Sequence, residues 1–350
     1  MRQSKKRVLA ALMSGMMLTG MLAGCSGDSQ KAAENTASTE STAEDTAASG
    51  KDRADMNIKV VLKTLASEYW QYVKTGCEAA GRDLGVNVDV LGATTETAYE
   101  EQVQIIETTL NAGDTDAMVV APLQADSVAN QIANTEVPVV AIDTQVDSDK
   151  ILSFVGFDNE EMAAMGGEAA AEAAKEAGWT EITAIGIAGV QGDSTSEARM
   201  KGYQQGVEEA GGTFLMDEVQ YANSTADQAV TCMEAIVQNH PEGIAIIFAN
   251  NDDMAIAAKR VVEGNPAYEN TIFCGCGGNT AAMQAILNGE ETMTVAVDGY
   301  DVGYRGVEAA VNALEGNTPD AFIASPATIV TIENAEEHMA LVQEKENDKV

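Results

Sequence analysis

The chain has 350 residues, of which 55 are Asp or Glu and 20 are Lys or Arg, so its formal charge at neutral pH is −35. This acidic excess excludes nucleic acid as a partner, because a phosphate backbone requires the opposite sign. The length is sufficient for a sizeable core and predicts about two domains.

Residues 1–24 have the order of an export signal. Basic residues within the first seven positions precede an apolar run from Val8 to Leu22, as in a cleaved secretory leader. The run ends in Leu22-Ala23-Gly24-Cys25, which resembles the bacterial lipobox, and this resemblance implies that Cys25 becomes a lipid-modified first residue. Two acyl chains anchor a protein stably, so we expect an extracytoplasmic protein held at the cell membrane through Cys25. An ordinary leader with a chance cysteine is the alternative.

Residues 25–55 are predicted to be a disordered tether. They are rich in Ser, Thr, Ala, Glu and Asp and contain almost no large apolar residues, so they cannot bury enough surface to fold. The folded part is expected to begin at Met56.

From Met56 onward, short β-rich runs alternate with longer helical ones. Strands that are apolar on both faces, separated by amphipathic helices, predict an α/β fold with parallel sheets covered on both sides. The expected order in the first half is strand 58–65, helix 69–84, strand 86–91, helix 99–111, strand 117–121, a helix from Asp126 and strand 137–142. In the second half we expect strands at 182–188, 213–219, 244–249, 271–276 and 293–297, with helices at 194–210, 226–239, 252–262 and 280–288. The pattern predicts two doubly wound lobes.

The predicted strands are followed by polar residues at their carboxyl ends, which is where such sheets bind ligands. These ends lie at 63–70, 122–124, 143–145, 191–194, 250–253 and 275–279. Carboxylates, amides and hydroxyls beside the adjacent aromatics Tyr69 and Trp70 are suited to a neutral, polyhydroxylated molecule.

Four cysteines follow Cys25, and we expect all four to be free thiols buried in the core. Cys77 and Cys232 fall on predicted helices, whereas Cys274 and Cys276 alternate along one strand, too far apart for a normal bridge. Because no further Cys or His lies near the Cys-x-Cys pair, we expect no metal site.

Several blocks, in order, resemble the periplasmic sugar-binding proteins of the ribose- and galactose-binding type. They are KTLASEYWQYVKTGCEAAGRDLGV, VVAPLQADSV, VPVVAIDTQ, SEARMKGYQQGV, IFANNDDMAIAA and FCGCGGNTAAM. The resemblance implies the type I periplasmic binding protein fold, with two lobes joined by a three-strand hinge. Lobe 1 would comprise residues 56–157 and 297–325, and lobe 2 residues 158–296 and 326–350.

The resemblance also implies site residues. Tyr69 and Trp70 match the stacking aromatics, Asp143 the carboxylate that takes two sugar hydroxyls, and Arg199 and Asn251 the groups that grip the ring from lobe 2. Together with polar residues at the strand ends and the late hinge, the predicted ligand-binding set is Lys63, Ser67, Tyr69, Trp70, Gln124, Asp143, Thr144, Arg199, Asn251 and Asp298.

Each of these residues also has a purely structural interpretation. Trp70 is an ordinary core residue if its ring faces inward, and Asn251 is a good N-cap for the next helix. In the same structural interpretation, Asp143 is a turn residue and Arg199 is a surface charge. Capping and binding can coexist at Asn251.

Three departures from the ribose-type pattern count against ribose itself. Thr144 replaces an arginine, Gly275-Cys276-Gly277-Gly278 lacks the usual carboxylate, and Val297-Asp298 replaces the hinge glutamine. Lys63 is similar to a residue of relatives that bind autoinducer-2 or deoxy sugars. An autoinducer-2 or polyol ligand is therefore the alternative to a monosaccharide.

The resemblance implies a solute-binding lipoprotein, expected to be a monomer without cofactor, that delivers its ligand to the permease of an ABC importer. A sugar sensor for a membrane receptor is a second possibility. An enzyme is not expected, because neither His240 nor His338 lies near a predicted strand end and no dinucleotide or Walker loop occurs. Asp252-Asp253 would suit a cell-surface glycosidase, but such pairs are common in so acidic a chain. The effector domain of a sugar-responsive repressor is contradicted by the lipobox.

Overall fold

The computed structural model describes residues 51–347. The predicted export signal, the lipid site at Cys25 and residues 25–50 of the predicted tether lie outside the described residues. Within the described part, no helix combines the length and apolar character needed to cross a bilayer.

The end of the predicted tether differs from the structure. Arg53–Asp55 forms a 3-10 turn, and Asn87 Nδ2 donates to Ala54 O at 2.9 Å. Lys51 pairs with Asp116, and Arg53 with Glu315, each at 2.6 Å. The folded part therefore includes residues 51–55, which hydropathy alone assigned to the tether because they are polar.

The described residues form strands and α-helices in alternation. The strands are β1 Asn57–Leu62, β2 Asn87–Gly92, β3 Ala117–Val120, β4 Val139–Ile142, β5 Ile151–Gly156, β6 Thr183–Ala188, β7 Thr213–Phe214, β8 Gln220–Tyr221, β9 Ile246–Ala249, β10 Ile272–Gly277, β11 Met293–Val297, β12 Phe322–Ala324 and β13 Ala327–Val330. The helices are α1 Glu68–Leu84, α2 Tyr99–Asn111, α3 Ala125–Ile132, α4 Asn159–Glu176, α5 Ser194–Glu209, α6 Ala226–Asn239, α7 Asp252–Val261, α8 Thr280–Asn288, α9 Gly299–Leu314 and α10 Ala335–Glu346.

The strands form two sheets. The first has the order β12-β5-β4-β3-β1-β2 and is parallel throughout. The second has the order β13-β11-β10-β9-β6-β7, with β8 also paired to β6, and only β13 runs antiparallel, beside β11. The predicted α/β class with two lobes is confirmed.

One predicted strand is wrong in detail. Residues 213–219 were expected to form a single strand, but the chain pairs with β6 only at β7, makes a 3-10 turn over Met216–Glu218 and pairs again at β8. The turn lies at the edge of the sheet, where Met216 and Asp217 are exposed. An edge segment has no second neighbour to keep it extended, so the apolar pattern does not determine its path.

The chain passes between the two sheets three times. It leaves the first sheet after β5, returns to it through α9 after β11, and passes from β12 to β13. Helix α9 packs on α1, whereas α4 packs on α5. We call the first sheet with α1, α2, α3 and α9 lobe 1, and the second sheet with α4 to α8 lobe 2. The residue boundaries given above for the lobes remain predictions.

Both lobes place the beginnings of their helices at the same edge. Ser67 begins α1 by accepting a hydrogen bond from Trp70 N at 3.5 Å. In lobe 2, Asp193, Asn251 and Asn279 cap α5, α7 and α8. Each cap follows the carboxyl end of a strand directly or within a few residues, and its side chain satisfies amide groups that a helix leaves without a partner.

Candidate functional site

The carboxyl ends of the two sheets face each other across a cleft. The cleft is lined by Lys63, Ser67, Tyr69, Trp70, Glu96 and Asp143 of lobe 1, by Asp193, Thr195, Arg199, Ser224, Asn250, Asn251, Asp252, Asp253, Cys276, Gly277 and Asn279 of lobe 2, and by Val297 between them. The cavity within it measures about 50 Å³. A buried water molecule needs roughly 10–15 Å³, so the cavity exceeds the space that a single water molecule requires.

Asp143 lies at the end of β4 in a strained conformation. Its φ is 62°, a region that non-glycine residues rarely adopt, Asp and Asn less rarely than others. Thr144 N donates to Ile142 O at 2.6 Å, which closes a three-residue turn with Asp143 at its centre. The Asp143 carboxylate is 3% exposed and accepts from Tyr69 Oη at 2.9 Å. Strain at a residue that faces a cavity is typical of a functional position.

Lys63 and Asp193 form a buried ion pair that joins the lobes. Lys63 Nζ lies 3.2 and 3.3 Å from the two carboxylate oxygens of Asp193 and 4.0 Å from Asp143 Oδ2. Burial by itself would lower the pKa of Lys63, but Asp193, Asp143 and Glu96 outweigh it and hold the pKa above its ordinary value. The ammonium group is therefore charged and paired with Asp193.

A second bond crosses the cleft beside this pair. The hydroxyls of Thr144 in lobe 1 and Thr195 in lobe 2 lie 2.7 Å apart, and Thr144 also donates to Asp143 Oδ2 at 3.0 Å. Asp193 itself accepts from Thr195 N and Ser196 N at the start of α5. The structure is thus a closed arrangement of the lobes.

Arg199 is held in lobe 2 by neutral acceptors. Its Nε donates to Asn159 Oδ1 at 3.0 Å and its Nη1 to Asn250 O at 2.8 Å, and the residue is 7% exposed. Burial opposes its charge, but nearby Cys276 and Asp143 act in the other direction and the pKa of Arg199 is raised. It is therefore a fixed cation in the wall of the cleft.

The amides Asn250 and Asn251 follow β9. Asn251 Oδ1 caps α7 through Met254 N at 3.0 Å, and its Nδ2 donates to Ser224 O at 3.3 Å. Asn250 Oδ1 is buried and has no hydrogen-bond partner among the described residues. An unpaired buried acceptor is costly, and Asn250 belongs to the lining of the cleft, so it is a candidate partner for a ligand donor.

The two aromatic residues have different environments. Trp70 is 3% exposed, belongs to the main hydrophobic core and donates from Nε1 to Glu96 Oε1 at 2.9 Å. Tyr69 is only partly buried and meets the Trp70 ring edge-on, with ring centroids 5.1 Å apart. Burial and the charge of Asp143 raise the pKa of Tyr69, so its hydroxyl is neutral and donates.

The structure gathers seven of the ten predicted ligand-binding residues in the lining. These are Lys63, Ser67, Tyr69, Trp70, Asp143, Arg199 and Asn251. Thr144 lies directly behind Asp143, bonded to Thr195 as described. The predicted roles of these residues in binding remain predictions.

Gln124 and Asp298 do not line the cleft, contrary to the prediction. Gln102 bonds to Leu62 O, Ala121 O and Leu123 N, which covers the end of β3 and leaves Gln124 exposed at the start of α3. Asp298 caps α9 through Asp301 N and pairs with Lys345, so its carboxylate is already occupied.

The lining also contains residues that were not part of the predicted ligand-binding set. Most of them lie in the polar segments after strands that the sequence identified, and only the choice of lining residues within each segment was missed. These residues are Asp193, Asn250, Asp252, Asp253, Cys276, Gly277 and Asn279. Glu96 lies in the loop after β2, and nothing in its sequence context distinguishes it.

The cysteines are as expected. Cys77, Cys232, Cys274 and Cys276 are free and buried, and burial raises the pKa of the Cys276 thiol to about 11. Within residues 51–347, no group of three or more His, Cys, Asp or Glu side chains could hold a metal ion.

The position of His338 differs from the expectation that no histidine lies near a strand end. A Cβ on Gly278, just after β10, would lie 3.4 Å from His338 Nε2. His338 is nevertheless absent from the lining of the cleft, and burial lowers its pKa.

Comparison with known proteins extends across both lobes. Residues 58–318 match the family described as a periplasmic binding protein domain. The ribose import binding protein of Salmonella typhimurium is 27% identical over 268 residues, which cover 75% of this chain and 86% of that protein. The D-allose-binding periplasmic protein of Escherichia coli is 27% identical over 265 residues, covering 73% and 83% respectively.

Solved structures agree in fold. A carbohydrate transporter solute binding protein from Agrobacterium radiobacter, in complex with D-arabinose, has a TM-score of 0.75 and 26% identity, covering 83% of this chain and 98% of that one. An ABC transporter solute binding protein from Actinobacillus succinogenes with bound D-allose has a TM-score of 0.71 and 22% identity, covering 81% and 99%.

Proposed function

Because this chain belongs to the family of periplasmic binding protein domains, we propose that it captures a small, neutral, monosaccharide-like ligand between its lobes and delivers it to an ABC importer. The family is one of solute-binding proteins without catalytic activity and works outside the cytoplasm. Curated relatives are named for ribose and D-allose, which supports a sugar as the ligand.

The observation that carries the proposal is the polar lining contributed by both lobes at once. Asp143 presents a buried carboxylate from lobe 1, and Asn250 presents an unpaired amide oxygen from lobe 2. Hydroxyl groups donate to such acceptors, and a sugar carries several donors around one ring. A ligand that uses both lobes stabilises the closed state, which is the basis of capture.

The charges in the cleft favour a neutral ligand. The cations Lys63 and Arg199 are already held by carboxylates or by neutral acceptors, whereas Asp143, Asp193 and Asp253 line the same space. A phosphate or a uronic acid would meet these three carboxylates, and Lys63 is already paired with Asp193, which leaves only the charge of Arg199 in the lining to offset them. We therefore expect neutral sugars or polyols to bind and their acidic derivatives to fail.

The proposal is tested by thermal-shift measurements followed by calorimetric titration. D-ribose, D-allose, D-arabinose, a polyol and autoinducer-2 are compared with glucuronate and ribose 5-phosphate, because a ligand that binds the native state raises its melting temperature. A shift with neutral sugars alone supports the proposal, and a polyol or autoinducer-2 shift alone supports the alternative ligand. A shift only with the anions contradicts it.

We also propose that Cys25 carries the lipid anchor and that the acidic residues after it form the tether to the membrane. The lipobox-like run Leu22-Ala23-Gly24-Cys25 supports this. Incorporation of a labelled fatty acid into the wild type, and its loss in Cys25→Ser, is the expected result. Equal labelling of both proteins contradicts it.

A further inference from the structure

Glu291 is a buried acid that the cleft described above does not explain. It lies in the connection between α8 and β11 and is 1% exposed. Neither of its carboxylate oxygens has a hydrogen-bond partner among the described residues. A buried ionised carboxylate without partners is too costly to persist, so such a group is held as the neutral acid or pairs with another group.

The neighbour that can share its proton is Asp252, which lines the cleft. A Cβ added to Gly275 would lie 2.3 Å from Glu291 Oε1 and 2.5 Å from Asp252 Oδ1. Because both distances are measured from the same point, Glu291 Oε1 and Asp252 Oδ1 are at most about 5 Å apart. Any side chain at position 275 would occupy the space between them, so only glycine fits there. Carboxyl groups at such a separation do not both ionise in a buried site.

The other bonds of Asp252 identify it as the ionised partner. Its Oδ1 accepts from Thr294 Oγ1 at 2.6 Å and its Oδ2 from Gly278 N at 2.7 Å, and donors of this kind favour the charged form. Glu291 lacks them. We propose that Glu291 is a positioning residue, which as a neutral acid shares one proton with Asp252 and so holds the Asp252 carboxylate and the Gly277–Gly278 turn at the wall of the ligand cleft.

The direction of both pKa values agrees with this arrangement. Burial, and after it the charge of Asp252, raise the pKa of Glu291 well above its ordinary range. Burial also raises the pKa of Asp252, to about 6, against the opposing effect of its bonds to Thr294 and Gly278.

Other charged and titratable groups face the pair from the elements around it. Glu68 faces Asp252 from α1 of lobe 1. His338 on α10 approaches Gly278. Within lobe 2 the facing groups are Arg199 and Tyr203 on α5, Asp253 and Lys259 on α7, and Cys274 and Cys276 on β10.

The arrangement makes stability depend on pH in a defined direction. The folded pKa of Glu291 is raised above the unfolded value of 4.5, so the folded state binds more protons above that pH. Its contribution to stability is complete below about pH 4.5 and is lost as pH rises through the folded pKa. Stability is therefore expected to fall with rising pH, together with the order of the Gly277–Gly278 turn.

The test compares the wild type with Glu291→Gln, because the Gln amide donates to Asp252 as the neutral acid does but does not titrate. Melting temperatures of the ligand-free domain are measured from about pH 5 to about pH 9, with the exposed Glu263→Gln as the matched control. We expect the wild type and the control to lose stability over this range and Glu291→Gln to lose clearly less. Equal pH slopes in all three proteins overturn the proposal.

A second measurement does not depend on the variant folding. In the wild type, the amide signal of Gly278 is followed by 1H–15N NMR over the same pH range. A titrating shift at Gly278 is expected, because its N–H donates to Asp252; a shift independent of pH overturns the proposal.

The effect on ligand affinity rests on the proposed function and is measured separately, with D-allose and D-arabinose as probes. Wild-type affinity should fall as the pH rises through the range in which the Glu291–Asp252 pair loses its shared proton. The fall should be at most about tenfold per pH unit, which is the limit when binding is linked to one proton. Affinity in Glu291→Gln should change less. If neither sugar binds, the choice of ligand is wrong, but the melting and NMR results still decide the role of Glu291. If a sugar binds equally at every pH, the proposed effect of Glu291 on the ligand cleft is wrong.

Discussion

Lys63 Nζ lies 3.2 Å from Asp193 Oδ1, and the two residues belong to different lobes and lie 130 positions apart in the chain. Both side chains are buried. Breaking a buried pair leaves an uncompensated charge, which is far more costly than losing an exposed pair. The contact between Lys63 and Asp193 therefore favours the closed arrangement of the lobes.

We predict that Asp193→Asn favours the open state. The change leaves the Lys63 ammonium buried, with the more distant Asp143 as its nearest carboxylate. A broken buried pair costs about 3–5 kcal/mol. Opening of the lobes relieves this cost because it lets water hydrate the ammonium. Small-angle scattering without ligand should give a larger radius of gyration than the wild type. The exposed Asp217→Asn serves as the control, and an unchanged radius in Asp193→Asn would show that other contacts hold the lobes together.

Asp143 is predicted to be a principal ligand contact. A charged hydrogen bond of this kind contributes about 1.5–3 kcal/mol, so Asp143→Ala should weaken binding at least about tenfold. Because φ is 62° at this position, Asp143→Asn, which tolerates that conformation better than Ala, separates loss of charge from backbone strain. Calorimetric titration of both variants, with the exposed Asp147→Ala as control, checks this; wild-type affinity in Asp143→Ala would contradict the assignment of the site.

Trp70 is predicted to contribute more to stability than to binding. Its ring is 3% exposed within the main core, and truncation of a buried aromatic costs about 3–5 kcal/mol. Trp70→Ala should therefore lower the melting temperature strongly, whereas Tyr69→Phe, which removes only the donor to Asp143, should weaken binding with a smaller loss of stability. Melting curves and titrations of both variants decide, and a stable Trp70→Ala that no longer binds would reverse the two roles.

The thiols are predicted to be free but unreactive in the folded domain. Burial raises the pKa of Cys77 to about 12 and that of Cys276 to about 11, so thiolate is scarce at neutral pH. Thiol titration of a domain beginning after Cys25 should find four groups in denaturant and far fewer without it. Two or fewer in denaturant, under non-reducing conditions, would show a disulfide.

Much of the fold was predictable because its signal is local. Apolar strands alternate with amphipathic helices, and caps such as Asn251 mark helix starts within a few residues. The rule that ligands bind at the carboxyl ends of parallel strands then located Asp143 and Asn251 at the cleft without knowledge of their contacts. Edge segments were less predictable, since the single strand expected at 213–219 is interrupted where no second neighbour constrains it.

The choice among polar residues needed the tertiary structure. Gln124 and Asp298 follow strands as Asp143 does, yet Gln102 covers the end of β3 and Lys345 engages Asp298. Glu290 and Glu291 are adjacent and identical in type, but one pairs with Arg260 at the surface and the other is buried behind the cleft.

The sequence by itself therefore determined the class of fold, the edge of each sheet at which the cleft lies and the free state of the cysteines. Only the tertiary structure decided that Lys63 meets Asp193, that Trp70 is core and Tyr69 faces the ligand space, and that Glu291 meets Asp252. The physical reason is that periodicity and capping act within a few residues, whereas burial and charge pairing depend on side chains brought together from distant parts of the chain.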